Sequence, residues 1–226
     1  QDCGEGIFQS IDIPSGWSLF STYLCPFYPN FDLLMDGLVE NDNLVIVKNY
    51  LGNVYWPALG INGIGDISVG EGYQLKMNNS DMLIIEGSEI ASDYPINLPE
   101  SWSMIGYLHQ EPASIEEMMA PIVDNIILVK SYDGSVYWPP LGINGIGDMN
   151  PGWGYQIKTE SAVTLSYPEI LNGRLGFFSK DFVSTKFNKP INTGNNMTLG
   201  ILEDSWVSKP QEGDEIIVVD QDGLIV

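Results

Sequence analysis

Residues capable of catalysis are sparse in this sequence. It contains one histidine, His109, and two cysteines, Cys3 and Cys25. A catalytic nucleophile needs an activating base and an orienting third group, and no local spacing around His109 supplies them. Cys25 stands directly before Pro26, a poor setting for a nucleophile. The carboxylates are numerous but unpatterned, so spacing identifies no acid pair for glycoside hydrolysis. The sequence therefore predicts a protein that is not an enzyme.

Two aspartates are the candidate metal ligands. Asp66 and Asp148 occupy the same place in two copies of a glycine-rich loop, and with Asn62 and loop carbonyls they offer the oxygens that calcium prefers. Alternatively, these aspartates accept backbone N–H bonds inside a turn, which their sparse acid spacing favours. The loop lacks the lysine and following Ser or Thr of a phosphate-binding loop. No cofactor is predicted apart from the calcium option.

Repeated aromatic residues are the candidate ligand platforms. Tyr55-Trp56 returns as Tyr137-Trp138, and Trp153 lies downstream of the second pair. Exposed aromatic rings at these places would stack on sugar rings. Adjacent residues in a strand point to opposite faces, so one member of each pair should lie in the core. A structural role for both members remains the favoured alternative, because large aromatic side chains dominate the cores of small units.

These residues belong to a tandem duplication. Residues 54–66 (VYWPALGINGIGD) return as residues 136–148 (VYWPPLGINGIGD), and the only difference is Ala58 against Pro140. The similarity continues as GEGYQLK and GWGYQIK, whose alternation of apolar and polar residues predicts a half-buried strand. Apolar segments 44–48 and 126–130 predict strands that form hairpins with residues 54–56 and 136–138, the second through Asp133-Gly134.

One short helix is predicted in each repeat. In the first, apolar residues recur at helical spacing after Asn30, a favourable N-cap: Phe31, Leu34, Met35 and Leu38. In the second, Ser114 is the expected N-cap and Glu117 completes a capping box, and Pro121 limits the helix.

The sequence thus predicts a mainly β protein with a minor α+β character. We expect an N-terminal arm (1–12), two repeat units (13–90 and 95–168) and a C-terminal β-sandwich-like unit (171–226). A proline-bearing, extended segment, 94–99, should join the repeats rigidly. The last strand would present an open edge, so the protein is expected to continue beyond Val226 or to pair there with another copy.

Composition restricts the location and partners. Nine Lys and Arg against 30 Asp and Glu give a formal charge of -21, which repels nucleic acids. No apolar run reaches the roughly 18 residues of a membrane span. Because the chain begins with Gln1, we expect an exported protein that has lost a signal peptide. In that setting Cys3 and Cys25 would form a disulfide, with two free thiols as the alternative.

One resemblance adds to this interpretation. The segment 102–107 (WSMIGY), followed by ILVK, a hairpin, YWP, GINGIGD and GYQIK, resembles modules of large secreted proteins of marine bacteria, often of the type IX secretion class. Residues 195–216 are similar to a second module found beside them. The resemblance implies an extracellular or surface location and an adhesive or scaffolding role. We therefore expect a non-enzymatic surface protein that binds other copies or other surface proteins and forms filaments by strand addition, or a carbohydrate-binding adhesin.

Overall fold

The computed structural model describes residues 6–170. The predicted C-terminal β unit, Cys3 and the end of the chain lie outside these residues. The described part is mainly β, with several small sheets and a few short helices, which confirms the predicted fold class for the two repeats. None of the helices within residues 6–170 is long and apolar enough to cross a membrane.

The first repeat contains eight strands and two short α-helices in the described residues. Its strands are β1 (Ile7–Ile13), β2 (Gly16–Phe20), β3 (Leu24–Pro26), β4 (Leu44–Lys48), β5 (Val54–Trp56), β6 (Ile61–Asn62), β7 (Tyr73–Met77) and β8 (Asp81–Glu89). Its helices are α1 (Phe31–Leu34), α2 (Asp36–Glu40) and the 3-10 turn Pro57–Leu59.

The second repeat contains nine described strands and one α-helix. Its strands are β9 (Ile96–Leu98), β10 (Ser101–Gly106), β11 (Ala113–Ser114), β12 (Ile126–Lys130), β13 (Val136–Trp138), β14 (Ile143–Asn144), β15 (Asp148–Met149), β16 (Gly154–Thr159) and β17 (Val163–Leu165). Its helices are α3 (Ile115–Met119) and the 3-10 segments Ala120–Asn125 and Pro139–Leu141.

The two repeats share one topology. The first builds an antiparallel sheet in the order β2-β7-β4-β5-β6, and the second repeats it as β10-β16-β12-β13-β14. Even an irregularity is copied, because the register of β4 on β7 shifts between Leu44 and Ile46, and that of β12 on β16 shifts between Ile126 and Leu128. The duplicated sequence therefore encodes a duplicated fold.

The helices close the apolar face of each sheet. Asn30 caps α1, since its side chain accepts a bond from the Asp32 N–H, as predicted. The expected helix is divided at Met35 into α1 and α2. Ser114 stands at the N-cap of α3, but its side chain makes no capping bond, which corrects that prediction. Its backbone instead extends β11, which pairs with β15.

Apolar residues of these helices enter two buried cores, one for each repeat. In the first, the Phe31 ring lies 5.1 Å from the Tyr73 ring and 5.9 Å from the Tyr55 ring, measured between centroids. Buried rings of this size supply much of the apolar area that stabilises a small unit.

A second, smaller sheet belongs to each repeat. In the first it has the order β1-β8-β3, and in the second β9 pairs with β17. Half of the predicted arm is thus strand β1, and residues 96–98 of the expected linker form β9 of the second repeat. The registers agree: Ile11 faces Leu83 as Ile96 faces Leu165.

Candidate functional site

The repeats contact each other reciprocally. The Ser21 N–H donates to the Gly152 carbonyl (2.9 Å), and the Gly106 N–H donates to the Gly70 carbonyl (2.8 Å). Ser21 and Gly106 occupy equivalent places, as do Gly70 and Gly152. Single antiparallel bridges join Phe20 to Trp153 and Ile105 to Glu71 in the same way. A contact in which each partner uses the same surface is self-complementary about an approximate two-fold axis.

Two glycines allow this close approach. A Cβ on Gly72 would lie 2.6 Å from the Ile105 carbonyl oxygen, and a Cβ on Gly154 would lie 2.7 Å from the Phe20 carbonyl oxygen. The same Cβ on Gly72 would be 3.4 Å from the Gly154 Cα. Both obstructions are backbone atoms, so no side-chain movement relieves them. The glycines therefore lie where the two repeats meet most closely.

One side chain breaks the symmetry of the interface. The Ser21 hydroxyl donates to the Trp153 carbonyl (2.6 Å) and accepts from the Tyr107 N–H (3.1 Å). The equivalent residue, Gly106, has no room for the same side chain, because its Cβ would be 3.0 Å from the Ser21 Cβ. One buried hydroxyl thus bonds across the interface from the first repeat alone.

Two clefts flank the interface at equivalent places. The Glu71 cleft, of about 280 Å³, lies between Tyr50 and Glu71 of the first repeat and β9 of the second. The Trp153 cleft, of about 630 Å³, lies between Tyr132 and Trp153 of the second repeat and the end of β1 with the start of β8. Tyr50 corresponds to Tyr132, and Glu71 corresponds to Trp153, through the same separation of 82 residues in the sequence.

Glu71 gives the first cleft a protonatable group. Burial raises the pKa of its carboxyl, and hydrogen bonds from Tyr73 and Ser68 oppose that rise. The Tyr73 hydroxyl donates to one carboxyl oxygen (3.1 Å), whereas Oε1 is buried without a hydrogen-bond partner among the described residues. A carboxyl held in this way favours its neutral form more than an exposed one does.

The Trp153 cleft combines aromatic rings with carboxylates. The rings of Tyr132 and Trp153 meet edge to face, with centroids 5.2 Å apart. Asp12 and Asp81 lie on the opposite wall. Hydrogen bonds to Asp81 from the side chains of Asn43 (2.8 Å) and Asn41 (2.9 Å) and from the Met82 N–H lower the pKa of its carboxyl. Asp81 is therefore held ionised at neutral pH.

The predicted aromatic platforms lie apart from the clefts, except Trp153. Tyr55 and Tyr137 are buried in the two cores, whereas Trp56 is 37% exposed and Trp138 is half-buried. Sequence reasoning missed Tyr132, which precedes the turn residues Asp133-Gly134 and therefore resembles a loop residue. Its one available signal was the equivalent tyrosine in the first repeat.

The candidate metal ligands take part in polar networks of the loops. The Asp66 carboxylate accepts a bond from the Asn30 side chain (3.1 Å), and Asp148 lies exposed at the start of β15. The backbone N–H groups expected to bind these aspartates instead bind asparagines: Gly65 donates to Asn62, and Gly147 donates to the equivalent Asn144. Among the described residues, no group of three or more His, Cys, Asp or Glu side chains is placed to hold a metal ion.

His109 and Cys25 lie far from any catalytic arrangement predicted for them. His109 is 7% exposed and contacts the rings of Tyr107 and Tyr167. Burial lowers the pKa of its imidazole, and a hydrogen bond to the backbone of Pro168 opposes that effect. Cys25 is exposed on β3, and Cys3 lies outside the described residues, so their disulfide stays a prediction.

A scan against protein-family models, a search of curated proteins and a search of solved structures each returned no match. The resemblance to modules of secreted bacterial proteins therefore stays a prediction. What the site can do follows from its own geometry: the structure describes two clefts of different chemistry on one symmetric framework.

Proposed function

We propose that the chain is a non-catalytic structural module of an extracellular surface protein. The observation that carries the proposal is the reciprocal interface, in which Ser21 and Gly106 bond across to Gly152 and Gly70. Backbone bonds supported by close glycine packing couple the two repeats into one stiff unit, as a load-bearing spacer or scaffold requires. The acidic composition and the duplication support the same function.

Location and mechanical role are tested on the native host. Antibodies against the protein should label intact cells, and protease treatment of those cells should remove the label. Labelling that appears only after the cells are permeabilised would contradict an extracellular location. In hydrogen exchange on the isolated full chain, amides of both repeats should become exchangeable in one joint opening. Separate opening of the two repeats would contradict the stiff unit.

Filament formation by strand addition belongs to the same proposal. The predicted open edge lies outside the described residues, so its support is the sequence alone. Analytical ultracentrifugation of the full chain should show head-to-tail oligomers that grow with concentration. A single monomeric species at high concentration would oppose the filament.

Carbohydrate binding is the second candidate function, and the exposure of Trp56 favours it. Its ring is the more exposed member of the Tyr55-Trp56 pair, while Tyr55 packs in the core. A glycan array should then show binding by the intact chain that Trp56→Ala abolishes, with the buried Tyr55 left in place. Binding that survives Trp56→Ala, or an array without signal, would remove this candidate.

A further inference from the structure

The outer face of the β1–β8 ribbon carries an exposed apolar stripe. Phe8, Ile84 and Met82 point to the same side, because each alternates with buried residues along its strand, and they are 65%, 58% and 50% exposed. Ile84 lies opposite Ser10, so it is a diagonal neighbour of Phe8. We call these three residues the Phe8 stripe.

The fold itself does not require this stripe. In the second repeat, the residues equivalent to Met82 and Ile84 are Thr164 and Ser166. Thr164 donates from its hydroxyl to the Asn97 side chain (2.8 Å), so the matching face there is polar and internally bonded. Contiguous exposed apolar side chains on one copy of a duplicated fold indicate an interaction surface, since the other copy is built without them.

The stripe runs into the Trp153 cleft. Met82 belongs to both, and Asp12, opposite Met82 on β1, lines the cleft as well. At the equivalent place the first repeat has Glu71, a carboxyl, where the second has the Trp153 ring. The surface therefore joins an apolar strip to an aromatic recess along one edge of the molecule.

The charges of the recess specify what it can accept. Its ionisable groups among the described residues are Asp12, Asp81 and Tyr132, and no lysine or arginine lines it. Asp81 is fixed by Asn41 and Asn43, so it offers a preset negative charge beside the rings. Aromatic faces next to carboxylates attract cations. A guanidinium suits both, because it is planar, stacks on rings and donates two parallel bonds to a carboxylate.

We propose that the Trp153 cleft and the Phe8 stripe form one docking surface for a protein partner that inserts an arginine between Trp153 and Asp12, with apolar residues of the partner on the stripe. A polypeptide fits this surface better than a sugar does, because a sugar has no counterpart for the exposed stripe or for the uncompensated negative charge. The inference goes beyond the proposed function and holds whatever the location of the protein.

The test uses the full chain and two synthetic peptides. One is acetyl-Leu-Arg-Leu-Phe-amide, and in the other citrulline replaces arginine, which keeps the shape and removes the charge. Calorimetric titration should give binding of the arginine peptide that is at least about tenfold tighter than that of the citrulline peptide. Equal affinities, or binding of neither peptide, would overturn the proposal.

Variants locate the binding. Asp12→Asn, at an exposed position, should weaken the arginine peptide by about threefold to tenfold and leave the citrulline peptide unchanged. Trp153→Ala should weaken the arginine peptide at least about tenfold. Asp124→Asn removes the same charge from an exposed site outside both clefts and serves as the matched control. An equal loss in Asp124→Asn would show that only the overall charge matters, and competition by neutral oligosaccharides without peptide binding would assign the cleft to sugars; both results overturn the proposal.

Discussion

The two repeats keep the same backbone and differ in what they place at its rim. Both sheets, both register shifts and both glycine contacts are shared. At the clefts, however, Glu71 of the first repeat corresponds to Trp153 of the second, and the polar face at Thr164 corresponds to the apolar face at Met82. The framework is therefore held constant by packing, while the clefts are where the copies have acquired different chemistry.

A smaller difference lies inside the cores. The second repeat places His109 where the corresponding residue of the first is Leu24, and both are buried. Leu24 needs no hydrogen bond, whereas a buried imidazole must stay neutral or find partners. The same framework thus tolerates a titratable group in one copy only, and this difference can be tested directly.

The largest effect should come from the shared contact. Gly72→Ala and Gly154→Ala should each lower the free energy of unfolding by about 3 kcal/mol or more, since the added methyl group meets backbone oxygen. Gly37→Ala, in α2 with open space around it, is the control and should stabilise by up to about 1 kcal/mol. Urea unfolding measures all three. Two very unequal losses at Gly72 and Gly154 would break the symmetry of the interface.

The next effect concerns Ser21. Ser21→Ala should cost about 1–3 kcal/mol, because the buried Tyr107 N–H loses its acceptor. Gly106→Ser alone should also destabilise, since its side chain meets Ser21. Combining Ser21→Gly with Gly106→Ser moves the hydroxyl to the other side of the axis and should recover part of the loss. A double variant less stable than either single variant would show that the two sides are not equivalent.

A third prediction concerns His109 and acid. Its pKa is lower in the folded chain than the ordinary 6.5, so the unfolded chain binds more protons and stability falls as the pH drops below that value. The loss is at most about 1.4 kcal/mol for each pH unit. His109→Leu, which introduces the residue of the first repeat, should flatten this fall in melting temperature between about pH 6.5 and 5. An unchanged slope would mean that His109 does not cause it.

The smallest effect should come from Glu71. Its pKa is raised above 4.5, so the stability linked to its neutral form is present below pH 4.5 and is lost as the pH rises through the folded value. Glu71→Gln keeps a neutral acceptor for Tyr73 and should stabilise at pH 7 by less than about 1 kcal/mol, since solvent partly screens the carboxylate. Glu40→Gln, on exposed α2, is the control for removing one charge. Equal gains in the two variants would point to net charge.

Local patterns in the sequence predicted the repeated sheet well. Alternating residues gave the strand of residues 73–77, Asp133-Gly134 gave a hairpin, and helical spacing after Asn30 gave α1. These features depend on side chains close in sequence, where periodicity reports directly on burial. The shared motif then extended each assignment to the other repeat.

Features that depend on distant partners were missed. Strand β9 has three residues between two prolines, so nothing local distinguishes it from a linker, and its partner β17 lies more than 60 residues away. The Trp153 cleft exists because Ser21 bonds to a loop 131 residues further along. Spacing along one sequence carries no signal for such contacts, and Tyr132 could be placed only once they were known.

The single hydroxyl at the interface also affects which repeats can pair. A self-complementary surface can in principle join any two copies, including repeats from different chains. Two first repeats would bring Ser21 to both sides of the axis, where the present contact has space for one side chain. Two second repeats would bring Gly106 to both sides and would lack the hydroxyl that binds the Tyr107 N–H. The Ser21–Gly106 difference therefore favours partners within one chain and disfavours exchange between neighbouring molecules during folding.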